Sequence, residues 1–277
     1  MKHHEGTFTG YGGQELYTQS WLPDEPARAV IALVHGLGEH SGRYTHVVNH
    51  LVSKGYAIYG FDLRGHGRSA EKLCAHINSW DEYRGDVRAF LEMVREQEAG
   101  RPLFLMGHSM GGLMVLEYTL HNPDGLKGVI ASAPAVGAVD ASPILLFIGR
   151  ILSRLKPDFC LDSQLDVKAI SRDPAVVQAY VDDPLVSSKV SARWSTEFMR
   201  AIEWTQTHAA EFKPPLLIIH GEADTLVPES GSRAFFDKIT QPDKERILYP
   251  GGYHENHNDL HHEQVTADLE RWLDAHV

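Results

Sequence analysis

Ser109 sits in Gly107-His108-Ser109-Met110-Gly111, and its surroundings decide whether that hydroxyl can act as a nucleophile. The apolar run Pro102-Leu103-Phe104-Leu105-Met106 leads in, and a helical pattern to about residue 121 follows at once. This order reads as buried strand, sharp turn and helix, which lifts one serine hydroxyl clear of the end of a sheet. The glycines are required because the turn is strained and neighbouring elements come close. A serine hydroxyl is a weak nucleophile at neutral pH. It needs a base to take its proton and an anion to hold that base in the right tautomer. In this setting the partners are expected in the chain order Ser, acid, His. Asp224 follows the apolar run 216–220, and His254 follows the run 246–249 after Gly251-Gly252. They are the candidate acid and base. Glu222 and Glu229 compete with the first, and His257, His261 and His262 with the second.

Acyl transfer through such a serine also needs donors set where an oxyanion develops. The backbone N–H of Met110, at a helix N-terminus, is one candidate. The second is the N–H of Leu37 in His35-Gly36-Leu37-Gly38, where glycines permit close backbone approach.

These residues imply a particular scaffold. Residues 7–9 and 16–22 read as a hairpin around Gly10-Tyr11-Gly12-Gly13. Continuous apolar runs at 29–34, 56–61, 103–106, 128–133, 216–220 and 246–249 have strand length and the character of strands buried on both faces. Helical periodicity lies between them, at 44–52, 80–94, 110–121, 230–239 and 263–275. Ser79 with Glu82 is a capping-box pattern. Strands alternating with helices predict an α/β fold with a mainly parallel, doubly wound sheet, whose ligands bind beyond the C-terminal strand ends. Every candidate catalytic loop follows a strand, so all converge on one edge. The alternation fails between residues 135 and 212. Helical patterns there, at 143–155 and 188–207, predict a cap inserted after the sixth strand, with 1–134 and 213–277 as the core. The face of Ile144, Phe147, Ile148, Ile151 and Leu155, opposite Arg150 and Arg154, lines an acyl path, meets a membrane surface or packs on the core.

Composition excludes other classes. The net charge of −11 and the lack of a basic block argue against nucleic-acid binding. No apolar run is long enough to span a membrane, and the N-terminal residues lack an apolar h-region, so a cytoplasmic protein, at most peripheral to a membrane, is expected. Cys74 and Cys160 form no metal-site spacing. Reduced thiols are the expectation, with a single bridge left open.

Together, His35-Gly36-Leu37-Gly38-Glu39-His40-Ser41-Gly42-Arg43-Tyr44, Asp62-Leu63-Arg64-Gly65-His66-Gly67-Arg68-Ser69, Gly107-His108-Ser109-Met110-Gly111-Gly112, His220-Gly221-Glu222-Ala223-Asp224 and Gly252-Tyr253-His254-Glu255-Asn256-His257-Asn258 resemble the monoacylglycerol lipase and lysophospholipase family. The resemblance implies the α/β-hydrolase fold with a helical cap, and hydrolysis of a carboxylic ester with one acyl chain through an acyl-enzyme on Ser109. It implies no metal or organic cofactor and a small lipid ester as partner, with oligomeric state unspecified. By the same resemblance, Ser109, Asp224 and His254 match the triad and Leu37 with Met110 the oxyanion hole. Glu39, Arg43 and His257 match positions around the polar alcohol end, where Glu39 and Arg43 equally read as a loop-fixing ion pair. Ile144, Phe147, Ile148 and Ile151 are the candidate acyl contacts. A lysophospholipase or short-chain carboxylesterase would share the triad, and a non-enzymatic ligand receptor would not need it. The chain departs from the family after Ser69: Ala70-Glu71-Lys72-Leu73-Cys74-Ala75-His76 replaces a glycine-rich turn leading to Arg-Gly-His.

Overall fold

A computed structural model of the chain describes residues 1–137 and 143–277, with side chains in the helix that begins at Pro143 described from residue 147 onward. The apolar runs become strands because both of their faces are covered. β3 (Ala29–Val34), β4 (Tyr56–Phe61), β5 (Leu103–His108), β6 (Gly128–Ser132) and β9 (Leu216–Gly221) are buried throughout. With β1 (Lys2–Thr9), β2 (Glu15–Leu22) and β10 (Lys244–Tyr249) they form one eight-stranded sheet of order β1-β2-β4-β3-β5-β6-β9-β10. β1 and β2 pair antiparallel, as do β2 and β4; every other pairing is parallel.

One face of the sheet packs on α1 (Thr45–Ser53) and α8 (His262–His276), around Leu51, Trp272 and Leu273. The other packs on α2 (Trp80–Gln97), α3 (Met110–His121) and α7 (Glu229–Lys238), around Phe90, Leu113 and Phe235. This is the doubly wound arrangement expected. β1 is longer than expected because its outer residues are exposed and carry no apolar signal. The capping box at Ser79 does not form: the Ser79 side chain caps nothing, and the Glu82 carboxylate accepts instead from Asn78 N (3.2 Å), Asn78 Nδ2 (2.9 Å) and Arg64 Nη1 (3.2 Å).

Between β6 and β9 the chain builds α4 (Pro143–Leu155), α5 (Pro174–Asp182) and α6 (Ala192–His208), with α4 packed on α6 and α6 on α3. The helix read at 188–207 starts later, because Lys189–Ser191 is β8 and pairs antiparallel with β7 (Cys160–Asp162). Two short connections join this insert to the loop at 70–76. Ala75 N donates to Lys189 O (2.9 Å), and Ser191 N donates to Ala75 O (2.8 Å). Beside them Cys74 and Cys160 are joined in a disulfide, which corrects the expectation of reduced thiols. The two lie 86 residues apart, so no local spacing announces the bond.

Candidate active site

Ser109 occupies the turn between β5 and α3 with φ 54° and ψ −117°, a left-handed conformation that a non-glycine residue adopts only under constraint. The constraint comes from three backbone bonds. Ser109 N donates to Ser132 O (2.9 Å), and Ser109 O accepts from Leu113 N (3.1 Å) and Ala135 N (2.9 Å). The turn closes only because glycines flank it. A Cβ on Gly107 would overlap the Gly111 carbonyl, and one on Gly111 would overlap the carbonyls of Val34 and His35.

The turn after β9 presents a buried carboxylate, Asp224. Its Oδ1 accepts from Leu226 N and Val227 N, each at 2.9 Å. Its Oδ2 lies 2.7 Å from His254 Nδ1 and 3.3 Å from His220 Nε2. Burial works against the Asp224 charge, but His254, His220 and the backbone donors outweigh it and hold the carboxyl well below the usual range. The 2.7 Å contact to an anion fixes the His254 proton on Nδ1, leaving Nε2 as the basic nitrogen. Burial pushes the His254 imidazole down, and the charge and hydrogen bond of Asp224 more than reverse this, so it titrates above its ordinary value. Its neighbours go the other way. Burial drives His35 and His108 well below the ordinary value, His66 to about 4 and His257 to about 3. Among these buried imidazoles, His254 is therefore the one suited to carry a proton transiently near neutral pH.

Ser109, His254 and Leu37 line one cavity. The loop after β3 comes close enough that a Cβ on Gly36 would lie 3.1 Å from Ser109 Cβ. This places the Leu37 segment over the turn whose next residue, Met110, opens α3 with the free N–H groups of a first helical turn. Glu39 fastens the loop: its Oε1 accepts from Gly36 N (2.6 Å) and Tyr44 OH (2.8 Å). Burial, and next the nearby Glu255 charge, push the Glu39 carboxyl up to about 6 against the pull of Arg43.

Arg43 answers two carboxylates. Its Nη2 donates to both oxygens of Glu255 (2.8 and 2.7 Å), and its Nε stands 3.5 Å from Glu39 Oε2. The Tyr180 ring of α5 covers the guanidinium at 4.6 Å. His257 is buried, stacks on Tyr44 at 4.6 Å, and has no hydrogen-bond partner at either ring nitrogen among the described residues. The other histidines of these loops brace them. His35 Nε2 accepts from Leu63 N (2.9 Å), His40 Nε2 contacts Asp183 Oδ2 (2.9 Å), and His108 Nδ1 contacts Ser132 Oγ (3.3 Å).

The structure thus brings Ser109, Asp224, His254, Leu37, Met110, Glu39, Arg43 and His257 to one edge of the sheet. It does not bring the expected acyl contacts there. Phe147, Ile148 and Ile151 are 63%, 52% and 43% exposed on the outer face of α4, and Leu155 is 74% exposed, so that face does not pack on the core. The Ile144 side chain lies outside the described residues. The apolar lining contributed by the insert is instead Leu165, Ile170 and Tyr180, which sequence reasoning missed along with Glu255. A signal for α5 did exist: Asp173, whose side chain caps the helix, followed by Pro174 at its first position. Among the described residues no group of three or more His, Cys, Asp or Glu side chains is arranged to hold a metal ion, and no helix is long and apolar enough to cross a membrane.

Comparison with known proteins gives concordant results. The sequence profile of the family described as Serine aminopeptidase, S33, matches residues 25–261. A monoacylglycerol lipase of Mycolicibacterium smegmatis is 36% identical over 275 residues, covering 99% of this chain and 98% of that protein. The crystal structure of Paleococcus ferrophilus monoacylglycerol lipase superposes with a TM-score of 0.84 at 32% identity, covering 100% of both chains. A soluble variant of Saccharomyces cerevisiae monoglyceride lipase in complex with a substrate analog gives a TM-score of 0.88 at 26% identity, covering 98% of this chain and 94% of that one.

Proposed function

The chain belongs to the serine aminopeptidase S33 family of α/β-hydrolases and is a carboxylic ester hydrolase, and from that premise we propose that it cleaves monoacylglycerols to a fatty acid and glycerol with Ser109, Asp224 and His254 as its triad. The observation that carries this reading is the 2.7 Å contact between Asp224 and His254 beside a serine held at φ 54° in the same cavity.

In the proposed cycle His254 Nε2 takes the Ser109 proton as Oγ attacks the ester carbonyl carbon. The resulting oxyanion is met by the N–H groups of Leu37 and Met110, and such a donor is typically worth about 3 kcal/mol. As the tetrahedral species collapses, the bond to the alcohol oxygen breaks and His254 gives its proton to that oxygen. A water molecule then loses its proton to His254 and attacks the acyl carbon. The Ser109–acyl bond breaks, and the proton returns to Ser109 Oγ. Asp224 keeps its charge throughout and stabilises the imidazolium.

Leu37, Leu165, Ile170 and Tyr180 supply an apolar lining suited to an acyl chain, and Glu39, Glu255 and, behind them, Arg43 a polar region suited to the alcohol end. Residues 135–212 act as the cap over the site. The exposed face of Phe147, Ile148, Ile151 and Leu155, on a helix that also exposes Arg150 and Arg154, suits contact with a lipid surface from which the substrate is drawn.

The test compares kcat/KM on monoolein, diolein, lysophosphatidylcholine and p-nitrophenyl esters of graded length, with Ser109→Ala as control. Monoolein is expected to lead the natural lipids, and Ser109→Ala to lose both turnover and fluorophosphonate labelling while keeping its circular dichroism. A clear lead for lysophosphatidylcholine would refute the glycerol ester, and near-normal esterase activity in Ser109→Ala would refute the triad.

A further inference from the structure

The polar side of the Ser109 cavity is unevenly charged. Glu39 and Glu255 both line it, and no lysine or arginine is among the described lining residues. Arg43, the cation paired with both carboxylates, is not itself among the described lining residues. Its Nη2 is spent on Glu255, which also accepts from Asn258 Nδ2 (2.9 Å), and its face is covered by Tyr180. One guanidinium therefore answers two carboxylates and leaves a surplus negative charge. Glu39 Oε2 is buried and accepts no hydrogen bond among the described residues; its ion-pair partner, Arg43 Nε, stands 3.5 Å away. The anionic Asp224 behind His254 adds to the same sign.

This charge lies where it can touch chemistry. The leaving alcohol must come within hydrogen-bond reach of His254 to be protonated. Glu255 is the next residue in the chain, and Glu39 holds the Gly36 loop that lines the same cavity as Ser109. Recognition of a phosphate would call for the reverse arrangement, with an arginine or lysine facing the ligand. Resting on the ester-hydrolase reading above, we infer that Glu39 and Glu255 sort esters by the charge of the alcohol: neutral and cationic alcohols are admitted, and anionic, phosphate-bearing alcohols are turned away. Arg43 limits the surplus and so keeps neutral alcohols acceptable.

The discriminating probe is a pair of esters of one shape. Butyrylcholine carries a quaternary nitrogen where neohexyl butyrate carries carbon, so their contacts differ only in charge. Each kcat/KM is divided by that ester's own hydroxide-catalysed rate, which removes the difference in leaving group. For the wild type at low salt and about pH 8, the cationic ester is expected to lead by about fivefold, the order of one partly screened charge. The lead should shrink as salt is raised to about 0.5 M. In Glu255→Gln, where one carboxylate and one guanidinium cancel, it should fall to about unity. Monobutyrin should exceed the corresponding butyryl glycerophosphate by about tenfold or more in the wild type.

A wild-type ratio near one at all salt concentrations would overturn the inference while leaving the hydrolase reading intact. So would an undiminished ratio in a Glu255→Gln variant that still hydrolyses the neutral ester. Should that variant fail to fold, the wild-type salt titration and the glycerophosphate comparison decide the matter unaided. Absence of turnover on every ester would instead remove the hydrolase reading, and the inference with it.

Discussion

Removing the Cys74–Cys160 disulfide should lower the stability of the whole chain without rearranging the site. The bond closes a loop of 86 residues. In the chain-entropy treatment such a loop restricts the unfolded ensemble by about 4.6 kcal/mol at 25 °C, and loss of a native disulfide generally costs about 2–5 kcal/mol. An unfolding entropy of roughly 2.1 cal/mol/K per residue converts the upper figure to a fall of about 8 °C in Tm for a chain of this length. The folded geometry should survive, because Ala75 remains bonded to Lys189 and Ser191 through the backbone and the Cys74 carbonyl still packs against Gly65. The assay is thermal unfolding followed by circular dichroism, with and without reductant, on the wild type and on the double variant Cys74→Ser/Cys160→Ser. The wild type should melt several degrees lower when reduced, and the double variant should melt low in both conditions. Alkylation of the denatured, unreduced wild type should find no free thiol. Two titratable thiols, or a melting curve indifferent to reductant, would refute the reasoning.

Further outcomes follow from the site. Because Asp224 raises the His254 pKa against the effect of burial, kcat/KM on a soluble ester should fall on the acid side with a midpoint above the ordinary histidine value of 6.5. The sign for stability is the opposite: the charged contact stabilises the fold below the unfolded-state pKa and is lost as pH rises through the raised folded value, which urea unfolding at several pH values measures. Gly36→Ala should reduce kcat by about ten- to a hundredfold while KM changes little, because its Cβ would meet Glu39 Oε1 at 2.9 Å and Ser109 Cβ at 3.1 Å and shift the oxyanion loop. Steady-state kinetics on a p-nitrophenyl ester separates the two constants. Phe147→Ser with Leu155→Ser should leave Tm and soluble-ester kinetics unchanged, since both side chains are exposed, but lower the rate on monoolein in vesicles.

What could be read from the sequence was what burial on two faces or a demanding turn dictates. β3, β4 and β5 are continuous apolar runs because helices cover both sides of the sheet, and α4 shows its bounds through a strong apolar stripe. Gly107, Gly111 and Gly36 marked the turn at Ser109 because no side chain fits where they stand. What could not be read depends on partners distant in the chain. Glu255 is an ordinary acidic residue until Arg43, 212 positions away, is placed against it. Tyr180 gains meaning only when α5 lays it over that guanidinium. The α4 stripe was legible as an apolar face, but whether such a face turns inward or outward depends on which side α6 occupies, and periodicity does not carry that information. The absent capping box has a more local origin, since Glu82 is drawn to Asn78, four residues away, as well as to Arg64.

Glu39 and Arg43 show why the structural and functional readings of a loop ion pair need not compete. Glu39 holds the Gly36 N–H and thereby the proposed oxyanion loop, which is a structural task. It is tied to Arg43, Arg43 to Glu255, and Glu255 is the neighbour of His254, so the same chain of contacts joins the Gly36 loop to the proposed base. Tyr180 extends that chain into α5 of the insert. On the proposed reading, a substitution anywhere along it changes the charge facing the alcohol and also the support of the loop assigned to the oxyanion. Its effect therefore belongs in kcat as well as KM, and charge-neutral changes of shape at Glu255 should be compared with charge changes before any loss of activity there is assigned to recognition alone.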